Sequence, residues 1–170
     1  MLAHVVGSAL QDKLPGVAVE VGHRDFGGSV RRHHLDAFVA NAQLGLQLGV
    51  DVKGLNSARS VGKNWNNRVG DLHELATNHH QNFPRGVMGG VLAIPREGIT
   101  PNTLRNIETA MGRMGGRRAV ANAHNLLECA CLIVISKDER RIVDDIPSPG
   151  SALRVERFAE IMSSVFKERW

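Results

Sequence analysis

Two apolar runs limit this chain more than any other feature: residues 87–94, broken only by Gly89 and Gly90, and residues 129–135, where no charged residue interrupts. Neither is long enough for an ordinary helix, and neither alternates as a half-solvated strand does. A strand that is apolar on both faces must be covered on both faces. Between them the sequence spells a helix, starting at Thr100-Pro101 with a capping hydroxyl and a proline at the first turn. It continues through Leu104, Ile107, Met111 and Met114 to a stop at Gly115-Gly116. Central strands separated by helices predict an α/β fold with a mixed sheet flanked by helices on both sides.

The remaining segments extend that reading. Leu2, Val5, Val6, Ala9, Leu10 and Leu14 form one helical stripe, stopped by Pro15-Gly16. Strands are expected at 17–21, 35–40 and 46–53, the last two joined as a hairpin through 41–45. A glycine- and arginine-rich stretch, 25–32, separates the first two. The amide-rich segment 56–82 reads as a loop entering a partly exposed helix, with Val69, Leu72, Leu75 and Ala76 at helical spacing. A further helical stretch is expected at 119–127, and residues 151–170 form an amphipathic terminal helix. The expected order is α-β-β-β-α-β-α-β-α within a single domain, residues 1–170.

Composition narrows the function classes. Hydrophobic residues at 42% and charged residues at 22% suffice for a core. Aromatics are 4% with no Tyr, which removes the stacking platforms of single-strand and RNA readers. The formal charge of +4 suits a polyanionic partner without requiring one. Cys129 and Cys131 form no disulfide framework, and no run reaches membrane-spanning length, so a soluble, cytoplasmic protein is expected.

Several motifs fail on their own terms. His23-Arg24-Asp25-Phe26-Gly27 overlays two kinase motifs on one aspartate, where a kinase needs separate loops. Gly62-Lys63 lacks the first glycine and the hydroxyl of a phosphate loop. Residues 112–118 read as a glycine helix stop with solvated charge, or as an anion nest contacting phosphate. The pairs His33-His34 and His79-His80, with His73 and His124, raise a histidine-centred nuclease or zinc protein, yet neighbours on a strand point to opposite faces and cannot chelate one ion. Cys129 and Cys131 have no second pair at metal spacing and read as small buried hydrophobes.

One constellation carries chemistry. On a strand Asp51 and Lys53 share a face while Val52 turns into a core, and a hairpin brings Asp36 to that same face. Two carboxylates and an ammonium are what phosphodiester hydrolysis uses: hard oxygens for Mg²⁺, with Mn²⁺ as substitute, and a cation at the attacking water or phosphate. In this reading Asp36 and Asp51 hold the metal, Lys53 orients or deprotonates the nucleophile, and Glu20 is an added ligand or a support for Lys53. The competing reading of an isolated Asp-x-Lys is solvated surface charge; the apolar flanks Leu48, Val50 and Val52 argue against it.

Asp36, a hairpin and Asp51-Val52-Lys53 together resemble the PD-(D/E)xK nuclease signature, and the αβββαβ order resembles that superfamily's core. The segment from Gly27 through Arg31, Arg32 and His33 to Asp36 adds to this, with Gly62-Lys63-Asn64-Trp65-Asn66-Asn67-Arg68 after the lysine. Both are similar to the Xho-like branch of type II restriction endonucleases. Leu35 stands where the superfamily usually has proline, and Asp51 where the branch more often has glutamate. The resemblance implies a restriction-endonuclease-like three-layer fold, a central mixed sheet flanked by helices. It further implies a Mg²⁺-dependent endonuclease that hydrolyses DNA phosphodiester bonds; two symmetric active sites, one for each strand of a duplex, make a homodimer the expected state, with branched DNA or RNA as alternative substrates. The alternative is a catalytically silent DNA-binding or assembly module on the same fold.

DNA contacts are expected from Arg31, Arg32, Asn64, Asn66, Asn67 and Arg68. Arginine and asparagine contact phosphates and base edges alike. The alternatives are that Asn64 caps the helix, Asn67 and Arg68 brace its entry, and the arginines form a solvated loop.

Overall fold

The computed structural model describes residues 2–138 and 141–170. Four helices, α1 (Leu2–Lys13), α2 (Ala58–Asn82), α3 (Pro101–Met114) and α4 (Val155–Arg169), surround six strands: β1 (Glu20–Gly27), β2 (Arg32–Asn41), β3 (Gly45–Gly54), β4 (Val87–Pro95), β5 (Cys129–Ser136) and β6 (Arg141–Ile142). The strands form one sheet in sequence order. β1, β2 and β3 pair antiparallel, β3, β4 and β5 parallel, and β6 closes the far edge antiparallel. The protein is thus α/β with a six-stranded mixed sheet flanked by helices.

The two apolar runs occupy the centre. Every residue of β4 and all but one of β5 are buried, because helices cover both faces. One core joins α1 and α4 to the sheet through Val6, Leu10, Leu48, Val50, Cys131 and Phe158. The other joins α2 and α3 through Leu35, Phe38, Leu72, Leu75, Met88, Leu92 and Ile107. Close approach requires two glycines of β4. A Cβ on Gly89 would lie 2.4 Å from Phe158 Cζ on α4, and one on Gly90 would lie 2.7 Å from Leu127 Cδ1 on the other face. At the start of α3, Thr100 Oγ1 accepts the Thr103 amide at 3.1 Å with Pro101 next in line, the expected cap.

Four expectations are corrected. β1 runs over Glu20–Gly27 instead of 17–21, into the glycine- and arginine-rich stretch expected to separate the first two strands. A bulge between Val21 and Arg24, with Gly22 at φ 151°, breaks the alternation that marks a strand in sequence. α2 starts at Ala58 and has 25 residues, so the amide-rich segment is helix, not an entry loop. Asn64, Asn66, Asn67, Gln81 and Asn82 lie on the solvent side, while Val61, Leu72, Leu75 and Ala76 face the core and Asn78 is buried with them. Residues 119–127 form turns instead of a helix, held by the Asn122 carboxamide accepting the Arg118 and Ala119 amides. The short β6 carries no sequence signal at all.

No described helix is long and apolar enough to cross a membrane. Inside α2, Gly62 and Gly70 are exposed and a Cβ at either meets nothing within 4 Å. Each Gly→Ala change is expected to stabilise the protein by about 0.5–1 kcal/mol, read by urea unfolding.

Candidate active site

β2 and β3 pair from Asn41↔Gly45 to Ala37↔Val50 with a register shift between Val39 and Ala40, and extending the Ala37↔Val50 register by one residue sets Asp36 opposite Asp51. The ladder stops there. Asp36 Oδ2 accepts the Val52 amide at 2.7 Å, so a side chain takes over a strand donor. Side-chain alternation breaks at the same point: Leu35 and Phe38 both enter the core under α2, while Ala37 enters the other.

Asp51 is 3% exposed. Lys53 Nζ lies 2.7 Å from its Oδ2, and Val52 between them packs into the opposite core, as the strand period requires. That ammonium is the close partner of Asp51 Oδ2, which receives no other donor among the described residues. Burial pushes the Asp51 pKa up from 3.8 to about 6. The ammonium of Lys53 opposes that rise, and the carboxyl of Asp36 adds to it by repulsion and by hydrogen bonding.

Sequence reasoning missed His23. The β1 bulge brings its Nδ1 to 3.5 Å from Asp36 Oδ1, with the ring largely in solvent. Its only sequence signal was membership of the discarded kinase-like motif. Beside it His34 Nδ1 lies 3.0 Å from Asp25 Oδ1.

Glu20 does not join the pair in this arrangement. It sits opposite Phe38, and its carboxylate faces Arg24 at 3.9 Å on the exposed edge. Arg31 grips Glu74 of α2 with two contacts, Nε to Oε1 at 2.9 Å and Nη2 to Oε2 at 2.9 Å. Arg32 is exposed and has no ion-pair partner among the described residues. Asn64, Asn66, Asn67 and Arg68 line the exposed side of α2. Ser57 precedes the helix, so Asn64 lies inside it and does not cap it. Asn66 Oδ1 accepts the Asn67 amide at 3.0 Å, and Arg68 pairs with Asp71 at 3.0 Å. No hydrogen bond joins these four to the carboxylate pair.

Between site and helix lies His33, whose ring centroid is 5.3 Å from that of His79. Burial first, then the charges of Arg31 and Lys53, hold the His33 pKa below its ordinary value, against Glu74 and Asp71. Burial likewise lowers His79 to about 4. Neither histidine pair chelates: His79 Nδ1 contacts the Leu75 carbonyl and His80 Nε2 faces Glu128. Cys129 and Cys131 are buried thiols whose pKa burial pushes up, to about 12 for Cys129, consistent with inert core residues.

A second charge cluster also escaped the sequence. Glu128 is 1% exposed, and its Oε1 accepts Arg117 Nη1 and Arg169 Nη1, both at 2.7 Å. Its Oε2 accepts the Met88 amide at 2.6 Å and faces His80 Nε2 at 3.1 Å. The phosphate contact considered for residues 112–118 is therefore overturned at Arg117, which is fully buried. The cluster ties α2, β4, β5 and α4 together.

A divalent ion fits the carboxylate pair in the chemistry of its donors. Asp51 is a buried carboxyl beside a second carboxylate, its Oδ2 met only by the Lys53 ammonium, and hard oxygens suit Mg²⁺. No group of three His, Cys, Asp or Glu ligands forms among the described residues. Waters, main-chain carbonyls or phosphate oxygens would complete the shell, as is usual for this ion. No family model matches the chain, and no curated protein matches it.

Proposed function

We propose that this protein is a metal-dependent endonuclease with a restriction-endonuclease-like fold, cutting duplex DNA as a homodimer. The observation that carries the reading is the buried Asp51 carboxyl, placed against Asp36 and held at 2.7 Å from Lys53 where the β2–β3 ladder ends. Burying like charges side by side opposes folding, so a site that retains them has a use beyond stability.

Asp36 and Asp51 would hold Mg²⁺, which supplies charge neutralisation at the phosphate and a more acidic water. Lys53, partly exposed beside Asp51, would orient the attacking water or neutralise a phosphate oxygen. The Val52 amide fixes Asp36 Oδ2, and His23 Nδ1 lies 3.5 Å from the other oxygen, Oδ1. Arg32 and the exposed amides of α2 meet the DNA backbone.

Plasmid cleavage with Mg²⁺ tests the reading. Asp36→Ala and Asp51→Ala are expected to abolish cutting, and Lys53→Ala to slow it by about 10²–10⁴-fold. Cutting that survives all three changes overturns the assignment. DNA binding without cutting, indifferent to Mg²⁺ and to these substitutions, identifies a silent binding module instead.

A further inference from the structure

The hairpin between β1 and β2 is held at its tip by one buried side chain. Asn78 of α2 is 2% exposed. Its Oδ1 accepts from Ser29 Oγ at 2.9 Å and from the Val30 amide at 2.6 Å, and its Nδ2 donates to the Arg31 carbonyl at 3.0 Å. Its own carbonyl accepts the Ser29 amide at 3.0 Å. Gly28 lies so close that a Cβ there would stand 2.5 Å from Asn78 Cγ. Asn82 holds the Gly27 carbonyl, and Glu74 holds the Arg31 guanidinium. Residues 27–31 are thus tied at nearly every position to the C-terminal part of α2.

What this tethering displays is Val30, 83% exposed, the most exposed large hydrophobic among the described residues. A single apolar side chain on a surface is ordinary. One fixed at a loop tip by a buried carboxamide is different, because ordering a loop opposes folding and nothing inside the chain gains from where Val30 points. Pre-ordering lowers the entropy lost on binding. Among the described residues the other exposed large hydrophobics, Val5, Leu44, Val120 and Trp170, are remote from Val30 in sequence, and Arg32, two residues on, has no ion-pair partner. That combination suits a nucleic acid: a cation for a phosphate and a small wedge for a base step. Val30 stands six residues before Asp36, with β2 starting at Arg32, so an extended run from the tip to the carboxylate spans at most about 20 Å, or roughly six base steps of a duplex.

We propose that Val30 is a wedge that enters one base step of duplex DNA, with Arg32 on an adjoining phosphate, within about six base pairs of the bond held at Asp36 and Asp51. The proposal rests on the endonuclease reading above. It is tested by mapping cuts on a plasmid with Mg²⁺, then placing 2-aminopurine at successive positions of a duplex centred on one cut and binding it with Ca²⁺ replacing Mg²⁺. The wild type is expected to brighten 2-aminopurine at one position within about six pairs of the cut. Val30→Ser should remove that signal and weaken binding by about tenfold with an unchanged melting temperature, while Val30→Leu keeps both. Absence of any cut overturns the endonuclease reading and the wedge with it. Cutting and unstacking that are unchanged in Val30→Ser overturn the wedge alone, as does a Val30→Ser effect confined to self-association in sedimentation.

Discussion

Asp51→Asn is expected to make the metal-free protein more stable near pH 7.5 by about 3 kcal/mol while removing the proposed cleavage. The folded-state pKa of about 6 lies above the unfolded 3.8, so the folded protein binds the Asp51 proton more tightly. The stability gained from that proton is complete below about pH 4 and is lost as pH rises through 6. An amide keeps the shape and carries no charge to desolvate. The gap between variant and wild type should therefore be small at pH 4 and open by pH 7.5, measured by urea unfolding in EDTA at both values. A variant less stable than wild type at pH 7.5 would show that the Lys53 contact outweighs burial.

The buried cluster gives the opposite outcome. Glu128→Ala should destabilise the protein by about 3–5 kcal/mol, a large part of what a domain of this kind possesses, or prevent folding. Burial pushes the Glu128 carboxyl up, but the His80 contact, the Met88 amide and Arg117 together hold its pKa below the ordinary value. Removing the carboxylate leaves the Arg117 and Arg169 guanidiniums buried without their counter-charge. Because the Glu128 pKa is depressed, its contribution is present at neutral pH and lost on acidification through the folded-state value, the reverse of Asp51. A thermal midpoint lowered by roughly 10 °C or more is expected, and a fall of only one or two degrees would sink the account.

Legibility differed from residue to residue. The β2–β3 hairpin and the shared face of Asp51 and Lys53 follow from strand period and loop length, both local quantities. The opposition of Asp36 and Asp51 follows from the same register. Glu20 was misplaced because the β1 bulge at Gly22 shifts the strand by a residue and brings His23 toward Asp36 instead. Bulges leave little trace in composition. α2 was undercut because its apolar stripe is sparse over the first turns, where Val61 and Trp65 alone mark the inner face.

By itself the sequence determined the α/β class, the double-sided burial of β4 and β5, and the Asp36, Asp51 and Lys53 set, because each depends on spacing within one or two adjacent elements. Only the tertiary structure decided how deeply Asp51 is buried, that Arg117 and Arg169 share Glu128, and that Asn78 fixes the tip carrying Val30. Those contacts join residues 11 to 48 positions apart. Their energies depend on desolvation and on which surfaces the packed layers exclude from water, and no local pattern encodes either.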